Sequence, residues 1–327
     1  MMSKTAFETG ITGQIASIIV KKLLKKNYEI YGLVRRNSTK NYWRLIDIED
    51  KINFIEGDLT DQSSLFTAVK EANPDLIINC GAQSFVGTSW KQPVYTENVT
   101  SLGVTRLLEA AKMFANDAKI IQLSSSEMFG AVRETPQSET TQFYPRSPYG
   151  VAKVAGFWNT VCYRESWGMD ISNAICFNME SEWRGIEFVT RKISAGIANI
   201  NEGVQEYITL GNLDAKRDWS YANDSVDAML LMTKEKEYND YVISSGETNS
   251  IRDFIKEGFK VAGIDDWKKH IKQDPKFFRP AEVELLLGDS TKIKNKLGWE
   301  PKTKFKELVK IMVEKDIERV ENGEMLF

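Results

Sequence analysis

A glycine-rich turn lies close to the start of the chain, between a short strand and an amphipathic helix. The strand is predicted at residues 5–8, and the turn reads Gly10-Ile11-Thr12-Gly13-Gln14-Ile15-Ala16. Apolar residues then recur at helical spacing from Ile15 to Leu23. The two glycines let the backbone turn tightly and approach a pyrophosphate at the helix N-terminus, and Ala16 lets helix and strand pack closely. This order of elements predicts a dinucleotide-binding unit.

Strands and helices continue to alternate after the turn. A second strand is predicted at residues 29–34, and a third ends before Gly57-Asp58-Leu59. Pro74-Asp75 introduces Leu76-Ile77-Ile78-Asn79-Cys80, a nearly continuous apolar run of the kind found in buried parallel strands. The alternation predicts an α/β fold with a doubly wound parallel sheet.

The second strand ends in Arg35-Arg36-Asn37-Ser38, about twenty residues after the glycine turn. A carboxylate at this place would bind the ribose hydroxyls of NAD, whereas two arginines and a hydroxyl fit a 2′-phosphate. The sequence therefore predicts NADP as the cofactor. A solvated basic loop is the alternative interpretation. Asp58 is predicted to accept a hydrogen bond from the adenine amine.

Residues 124–153 combine four chemical groups. Tyr149 and Lys153 are four residues apart, so on a helix they share a face, and the ammonium would favour the phenolate. Such a tyrosine can act as a base near neutral pH. Ser125 and Glu127 follow an apolar run, and strand alternation would put both side chains on one side. A YxxxK pattern on an exposed helix is the structural alternative, which the coupling to Ser-x-Glu disfavours.

Composition excludes several classes of function. The 327 residues carry a net charge of -3, so no nucleic-acid partner is expected. The start lacks an apolar signal region and no apolar run approaches membrane-spanning length, so a cytoplasmic protein without a membrane partner is expected. Three cysteines in apolar surroundings fit buried thiols better than disulfides. With His270 as the only histidine, no metal site is expected, and the candidate catalytic groups are Tyr, Lys, Glu and Ser.

The second half of the chain has a different character. A strand is predicted from Asp170 to Phe177, and an irregular, arginine-containing pattern follows. We therefore predict a dinucleotide-binding domain at residues 1–178, with a returning segment near 220–247, and a mainly substrate-binding domain at residues 179–327. Arginines on loops facing a nucleotide fold suit a substrate diphosphate, and surface charge is the alternative.

Several longer motifs identify a family. They lie at residues 10–14, 34–36, 57–61, 82–84, 134–139, 143–149, 188–192, 210–219 and 285–289. With these motifs the chain resembles the extended short-chain dehydrogenases/reductases, and within them the GDP-mannose 4,6-dehydratase family, over nearly its full length. The resemblance implies a Rossmann domain, a GDP-sugar substrate, a redox-neutral use of NADP and a homodimer or homotetramer.

The resemblance also implies roles for individual residues. Tyr149 would be the redox base, Lys153 its electrostatic partner and a ribose ligand, Ser125 the ligand of the sugar 4-oxygen, and Glu127 the group that handles the C5 proton and the C6 hydroxyl. The residues expected to bind the cofactor, besides Tyr149 and Lys153, are Gly10, Thr12, Gly13, Gln14, Ile15, Arg35, Arg36, Ser38, Asp58, Leu59, Ala82, Gln83, Met179 and Arg184. Those expected to bind the substrate are Ser84, Ser126, Asn178, Val189, Lys192, Gly211, Arg217, Arg279 and Glu282.

The chain departs from the family pattern near the expected sugar site. Phe85 replaces a usual histidine, and Met179-Glu180-Ser181-Glu182-Trp183-Arg184 replaces His-Glu-Ser-Pro-Arg-Arg. Smaller departures are Ile15-Ala16 for Asp-Gly after the turn and Ser125 for a threonine. The candidate catalytic residues are all present, so we expect these departures to affect which sugar the protein uses.

Other functions of the same fold stay open. A GDP-heptose 4,6-dehydratase, a reductase for GDP-4-keto-6-deoxysugars and an epimerase would use similar residues. Glu127 argues against a simple reductase, because only elimination or epimerisation needs an additional base. A non-catalytic dinucleotide-binding protein is the more remote alternative, and the intact catalytic groups argue against it.

Overall fold

Strands and helices alternate along most of the described chain, which comprises residues 3–278, 281 and 283–324 of the computed structural model. In chain order the strands are β1 (Thr5–Thr9), β2 (Glu29–Val34), β3 (Ile52–Glu56), β4 (Leu76–Asn79), β5 (Lys119–Ser125), β6 (Ile171–Cys176), β7 (Asn178–Glu180), β8 (Ile208–Leu210), β9 (Lys216–Arg217), β10 (Trp219–Tyr221), β11 (Tyr241–Ile243), β12 (Asn249–Ser250) and β13 (Ile271–Gln273). The α-helices are α1 (Gln14–Leu24), α2 (Gln62–Ala72), α3 (Val86–Ser89), α4 (Pro93–Thr100), α5 (Leu102–Phe114), α6 (Pro148–Trp167), α7 (Val189–Asn201), α8 (Ala222–Met232), α9 (Ile251–Val261), α10 (Thr291–Leu297) and α11 (Phe305–Glu321).

The central sheet is parallel and has seven strands in the order β11-β6-β5-β4-β1-β2-β3. The winding direction reverses between β1 and β4, which are neighbours in space but not in sequence. In such sheets a ligand crevice opens at the carboxyl ends of the strands at this reversal. The predicted doubly wound α/β fold is confirmed.

Two hydrophobic cores cover the faces of this sheet. Because side chains alternate along a strand, Ile77 and Ile78 of β4 enter opposite cores. Ile78 packs with α1 and α8, including Ile19, whereas Ile77 packs with α2 and α5, including Leu107. Both faces are therefore covered by helices, as a parallel sheet requires.

Glu8 is an unusual residue of β1. Its side chain is fully buried between Gly32 of β2 and Ile78 of β4, and within the described chain its carboxyl oxygens have no hydrogen-bond partner. Burial raises the pKa of Glu8 well above its ordinary value. The cause of this shift is the loss of water around the buried carboxyl group.

A separate core joins the helices of the second half of the chain. Residues of α7, α9 and α11, among them Ile197, Phe254 and Met312, pack together away from the central sheet. The chain returns to the central sheet at α8 and β11, and Ile293 of α10 and Trp299 join the same core as α8. Residues 291–299 thus bring the chain back to this core a second time. No helix of the described residues has the length and apolar character needed to cross a membrane.

Candidate active site

A cavity of about 940 Å³ opens at the carboxyl ends of the central strands. Its wall combines the glycine turn, the end of β5, the start of α6, the segment after β6, and the start of α7. This is the crevice that the reversal of strand order predicts. The four predicted catalytic residues all line it, namely Ser125, Glu127, Tyr149 and Lys153.

Ser125 and Glu127 reach the cavity by a route that differs from the prediction. β5 ends at Ser125, and residues Ser126–Met128 form a 3₁₀ turn, in which the Glu127 amide donates to Ser125 Oγ at 3.2 Å. A turn, rather than the alternation of a continuing strand, therefore brings the two side chains together. Met128 is fully buried beneath the turn, and Glu127 is only 7% exposed.

Tyr149 and Lys153 lie one turn apart at the start of α6, as predicted. The helix begins after Ser147, whose Oγ accepts a hydrogen bond from the Gly150 amide at 3.0 Å. A Cβ at Gly150 would lie 2.7 Å from the Glu127 carbonyl oxygen, so glycine allows α6 to approach the Glu127 turn. Lys153 Nζ donates to the Leu123 carbonyl at 2.6 Å and lies 5.8 Å from the centre of the Tyr149 ring.

Burial dominates the electrostatics of Tyr149 and Lys153. Burial raises the pKa of Tyr149 to about 12, the Ser125 hydrogen bond opposes the rise, and the Glu127 charge adds to it. Burial lowers the pKa of Lys153 to about 8. Desolvation is thus the largest cause of both shifts. The role of Tyr149 as a base stays a prediction.

The glycine turn has the geometry for a dinucleotide. Gly10 has a φ of +65°, and a Cβ on it would lie 2.9 Å from the backbone of Gly81. Gly13 caps α1 without a side-chain hydrogen bond, so the first amides of the helix are left for a ligand. The predicted residues Gln14, Ile15, Ala82, Met179 and Arg184 line the same cavity. These features fit a bound dinucleotide.

The other predicted cofactor residues lie outside the cavity wall. Arg35, Arg36 and Ser38 are exposed after β2, and Asp58 uses Oδ1 to accept from the amide and the hydroxyl of Thr60, both at 2.8 Å. Of the described chain, the predicted cofactor residues absent from the wall are Thr12, Arg35, Arg36, Ser38, Asp58, Leu59 and Gln83. These residues follow the carboxyl ends of β1, β2, β3 and β4. The glycine turn lies at the same edge of the sheet.

Tyr95 was missed by sequence reasoning. Arg35 donates to the Tyr95 hydroxyl at 2.9 Å, although the two residues are 60 positions apart. The hydroxyl fixes one of the two arginines predicted to meet the 2′-phosphate. No local signal marks Tyr95, because the contact depends on the placement of α4.

Most of the predicted substrate residues line the same cavity. Those that line it are Ser84, Ser126, Asn178, Val189, Lys192, Gly211 and Arg217. Within the described chain, Asn178 Oδ1 is buried without a hydrogen-bond partner. Arg217 donates to the Val283 carbonyl at 2.6 Å. Arg279 and Glu282 lie outside the described residues.

Two aromatic residues beside the predicted substrate residues were also missed by sequence reasoning. Phe277 and Phe278 line the cavity and are 46% and 49% exposed. Lys192 Nζ lies 4.2 Å from the centre of the Phe277 ring. The Phe-Phe pair directly before the Arg279 motif was the signal that could have revealed them.

The departures from the family pattern separate into two groups. Phe85 lines the cavity, and its ring packs edge to face against Phe188 at 5.6 Å. The Arg184 guanidinium lies 3.6 Å from the centre of the Phe188 ring and forms an ion pair with Glu180 at 3.1 Å. Of the described residues, Glu182 and Trp183 do not line the cavity. These two departures therefore lie away from the cavity wall.

Solved structures share this fold. A crystal structure of dTDP-glucose 4,6-dehydratase from Bacillus anthracis in complex with NAD has a TM-score of 0.85 at 20% identity, covering 98% of both chains. The structure of RMD from Pseudomonas aeruginosa complexed with NADPH has a TM-score of 0.80 at 22% identity, covering 97% of this chain and 100% of that one.

Sequence relatives are closer. The family model of GDP-mannose 4,6 dehydratase matches residues 8–312. The chain is 44% identical to the GDP-mannose 4,6 dehydratase of Homo sapiens over 96% of this chain and 91% of that protein. It is 42% identical to that of Vibrio cholerae over 100% of this chain and 97% of that protein. The chain belongs to the GDP-mannose 4,6-dehydratase family, as its motifs predict.

Proposed function

We propose that the protein is an NADP-dependent GDP-sugar 4,6-dehydratase, a hydro-lyase that converts GDP-mannose or a close relative to the GDP-4-keto-6-deoxy sugar. One observation carries the proposal: Ser125, Glu127, Tyr149 and Lys153 face the same cavity as the dinucleotide turn. Family membership supports the same reaction, and structures of the same fold hold NAD or NADPH.

The glycine turn, Ile15, Ala82 and Lys153 would hold the dinucleotide, with Arg35 and Arg36 at its 2′-phosphate. When bound, the dinucleotide would supply a hydride acceptor for C4 and a hydride donor for C6. Asn178, Lys192, Gly211 and Arg217 would hold the GDP part of the substrate. Asn178 Oδ1 suits this role, because a buried amide oxygen without a partner is costly until a donor reaches it.

The protein groups move the protons of the reaction. Tyr149 takes the proton of the 4-hydroxyl, with Ser125 orienting that oxygen. The resulting 4-ketone acidifies C5, so Glu127 can remove the C5 proton and deliver a proton to the departing 6-hydroxyl, which leaves as water. An exchangeable proton of the site then returns to C5, and the substrate undergoes no net oxidation.

Direct product analysis tests the proposal. Purified protein is incubated with GDP-mannose, once alone and once with added NADP, and the nucleotide sugar is followed by mass and by its keto group. We expect loss of water and a 4-keto product in the presence of NADP. Unchanged GDP-mannose in both incubations, or a reduced product without water loss, would contradict the reaction.

Arg35→Ala should erode the preference for NADP over NAD. The change removes a charge-assisted contact to the 2′-phosphate, which should cost about 1.5 to 3 kcal/mol of NADP binding and leave NAD binding nearly unchanged. Titration of both dinucleotides against both proteins measures this. Equal affinity for NADP and NAD in the unmodified protein would refute the assignment of Arg35 and Arg36.

Phe85→His should shift the choice of sugar without weakening the GDP contacts. The Phe85–Phe188 pair gives the cavity an apolar wall where the family has a polar ring. We therefore expect kcat/KM to vary more than GDP affinity when GDP-mannose, other GDP-hexoses and a GDP-heptose are compared, and we expect the histidine variant to favour GDP-mannose. If kcat/KM of the unmodified protein is as high for GDP-mannose as for any alternative sugar, the predicted change in sugar preference is wrong.

A further inference from the structure

The 179–187 loop, which begins with the last two residues of β7, is fastened to the glycine turn by two side chains. Gln14 donates from Nε2 to the Met179 carbonyl at 3.0 Å and accepts from Ser181 Oγ at 2.8 Å. Arg44 donates from Nε to the Trp183 carbonyl at 2.7 Å and from a terminal nitrogen to the Thr12 carbonyl at 3.1 Å. Arg44 therefore joins this loop directly to the turn.

Two further arginines hold the same loop from the other side. Arg319 of α11 donates to the Glu182 carbonyl at 2.7 Å, and Arg191 of α7 donates to the Arg184 carbonyl at 2.8 Å. The carboxylate of Asp316 accepts from both arginines at 2.8 to 3.0 Å and is fully buried. Three successive carbonyls, those of residues 182 to 184, thus each accept from a different arginine.

The Trp183 ring accounts for the several cationic side chains that lie around the 179–187 loop. Its ring lies 5.6 Å from that of Trp43, on which the Arg44 guanidinium stacks at 4.1 Å. The Arg319 guanidinium and the Lys21 ammonium lie 5.4 Å and 5.0 Å from the Trp183 ring centre. The face of an indole attracts cations, whereas the arginine of the family pattern at this position would repel them.

We propose that Arg44 is a positioning residue that closes the 179–187 loop onto the dinucleotide turn and slows release of the dinucleotide. The loop carries Met179 and Arg184, which line the same cavity as Gly13, so loosening the loop opens that wall. The inference rests on the proposed function, because a redox-neutral reaction uses one dinucleotide twice in each turnover and is interrupted if the dinucleotide leaves in between.

Release of NADPH from the protein measures this role. Bound NADPH is displaced by excess NADP, and its fluorescence is followed in the unmodified protein, Arg44→Ala, Arg44→Lys and the control Arg133→Ala. Arg133 is an exposed arginine that stacks on Tyr144 at 4.3 Å. GDP affinity and thermal unfolding are measured on the same samples.

Arg44→Ala should release NADPH roughly 10- to 100-fold faster, as loss of a charged donor to two carbonyls implies, with GDP affinity unchanged. The NADPH release rate of Arg44→Lys should lie between those of the unmodified protein and Arg44→Ala. An ammonium keeps the charge but lacks the planar fork that reaches both carbonyls. Normal release from Arg44→Ala, or wild-type release from Arg44→Lys, would overturn the proposal. An equal loss of GDP affinity and thermal stability would show a merely structural role and would overturn it too. Release is measured without sugar substrate, so a failure of the proposed reaction would appear only in the product assay.

Discussion

Replacing Glu127 by glutamine should stop product formation while leaving oxidation at C4 possible. Glutamine keeps the shape of the side chain in its buried position but can neither take the C5 proton nor protonate the departing hydroxyl. Turnover should fall by about 10²- to 10⁴-fold, as is typical for a lost acid-base group. Reduced cofactor should accumulate, which its absorbance reports directly, and both ligands should still bind.

Glu187→Gln is the matched control for this variant. Glu187 lines the same cavity but lies exposed in the 179–187 loop, so its substitution should leave turnover near the unmodified value. An unchanged turnover number in Glu127→Gln would remove Glu127 from the elimination step and favour the reductase alternative.

Tyr149→Phe should block the reaction one step earlier. Phenylalanine cannot take the proton of the 4-hydroxyl, so the rate of C4 oxidation should fall by about 10²- to 10⁴-fold. Reduced cofactor should therefore not accumulate, in contrast to Glu127→Gln. Single-turnover absorbance measurements distinguish the two variants, and normal cofactor reduction in Tyr149→Phe would exclude the tyrosine as the base.

The rate of C4 oxidation in the unmodified protein should also depend on pH. Burial raises the pKa of Tyr149 to about 12, so the phenolate becomes more abundant as pH rises through the neutral range. Lys153, whose pKa is lowered to about 8 by burial, keeps its charge below that pH and loses it above. The rate should therefore rise with pH up to about 8 and gain less beyond it, and a rate that falls over this range would contradict the assignment.

The central part of the fold could be predicted because its signals are local. The glycine turn, the apolar run ending at Cys80 and the spacing of Tyr149 and Lys153 each depend on a few neighbouring residues, and strand–helix alternation restricts the sheet to one class. The candidate catalytic groups then meet because parallel strands present their carboxyl ends at one edge.

Other features depend on contacts between distant segments. Tyr95 meets Arg35, and Trp183 turns away from the cavity because Arg44 and Arg319 bind the loop backbone around it. The pKa of Tyr149 reflects a balance between burial and neighbouring charges, and the spacing of Tyr149 and Lys153 reports only the charges. Sequence patterns carry no measure of burial depth at a single side chain, so the spacing alone does not report the effect of burial on this pKa.

The fate of one hydrogen tests the proposed reaction most directly. GDP-mannose carrying deuterium at C4 is converted by the protein in ordinary water with NADP, and the product is examined by NMR. Transfer of the deuterium from C4 to C6 of a 4-keto-6-deoxy product, with a solvent-derived hydrogen at C5, is the predicted result. A product that keeps its 6-hydroxyl, or whose C6 carries no deuterium, would contradict oxidation, elimination and hydride return within a single active site.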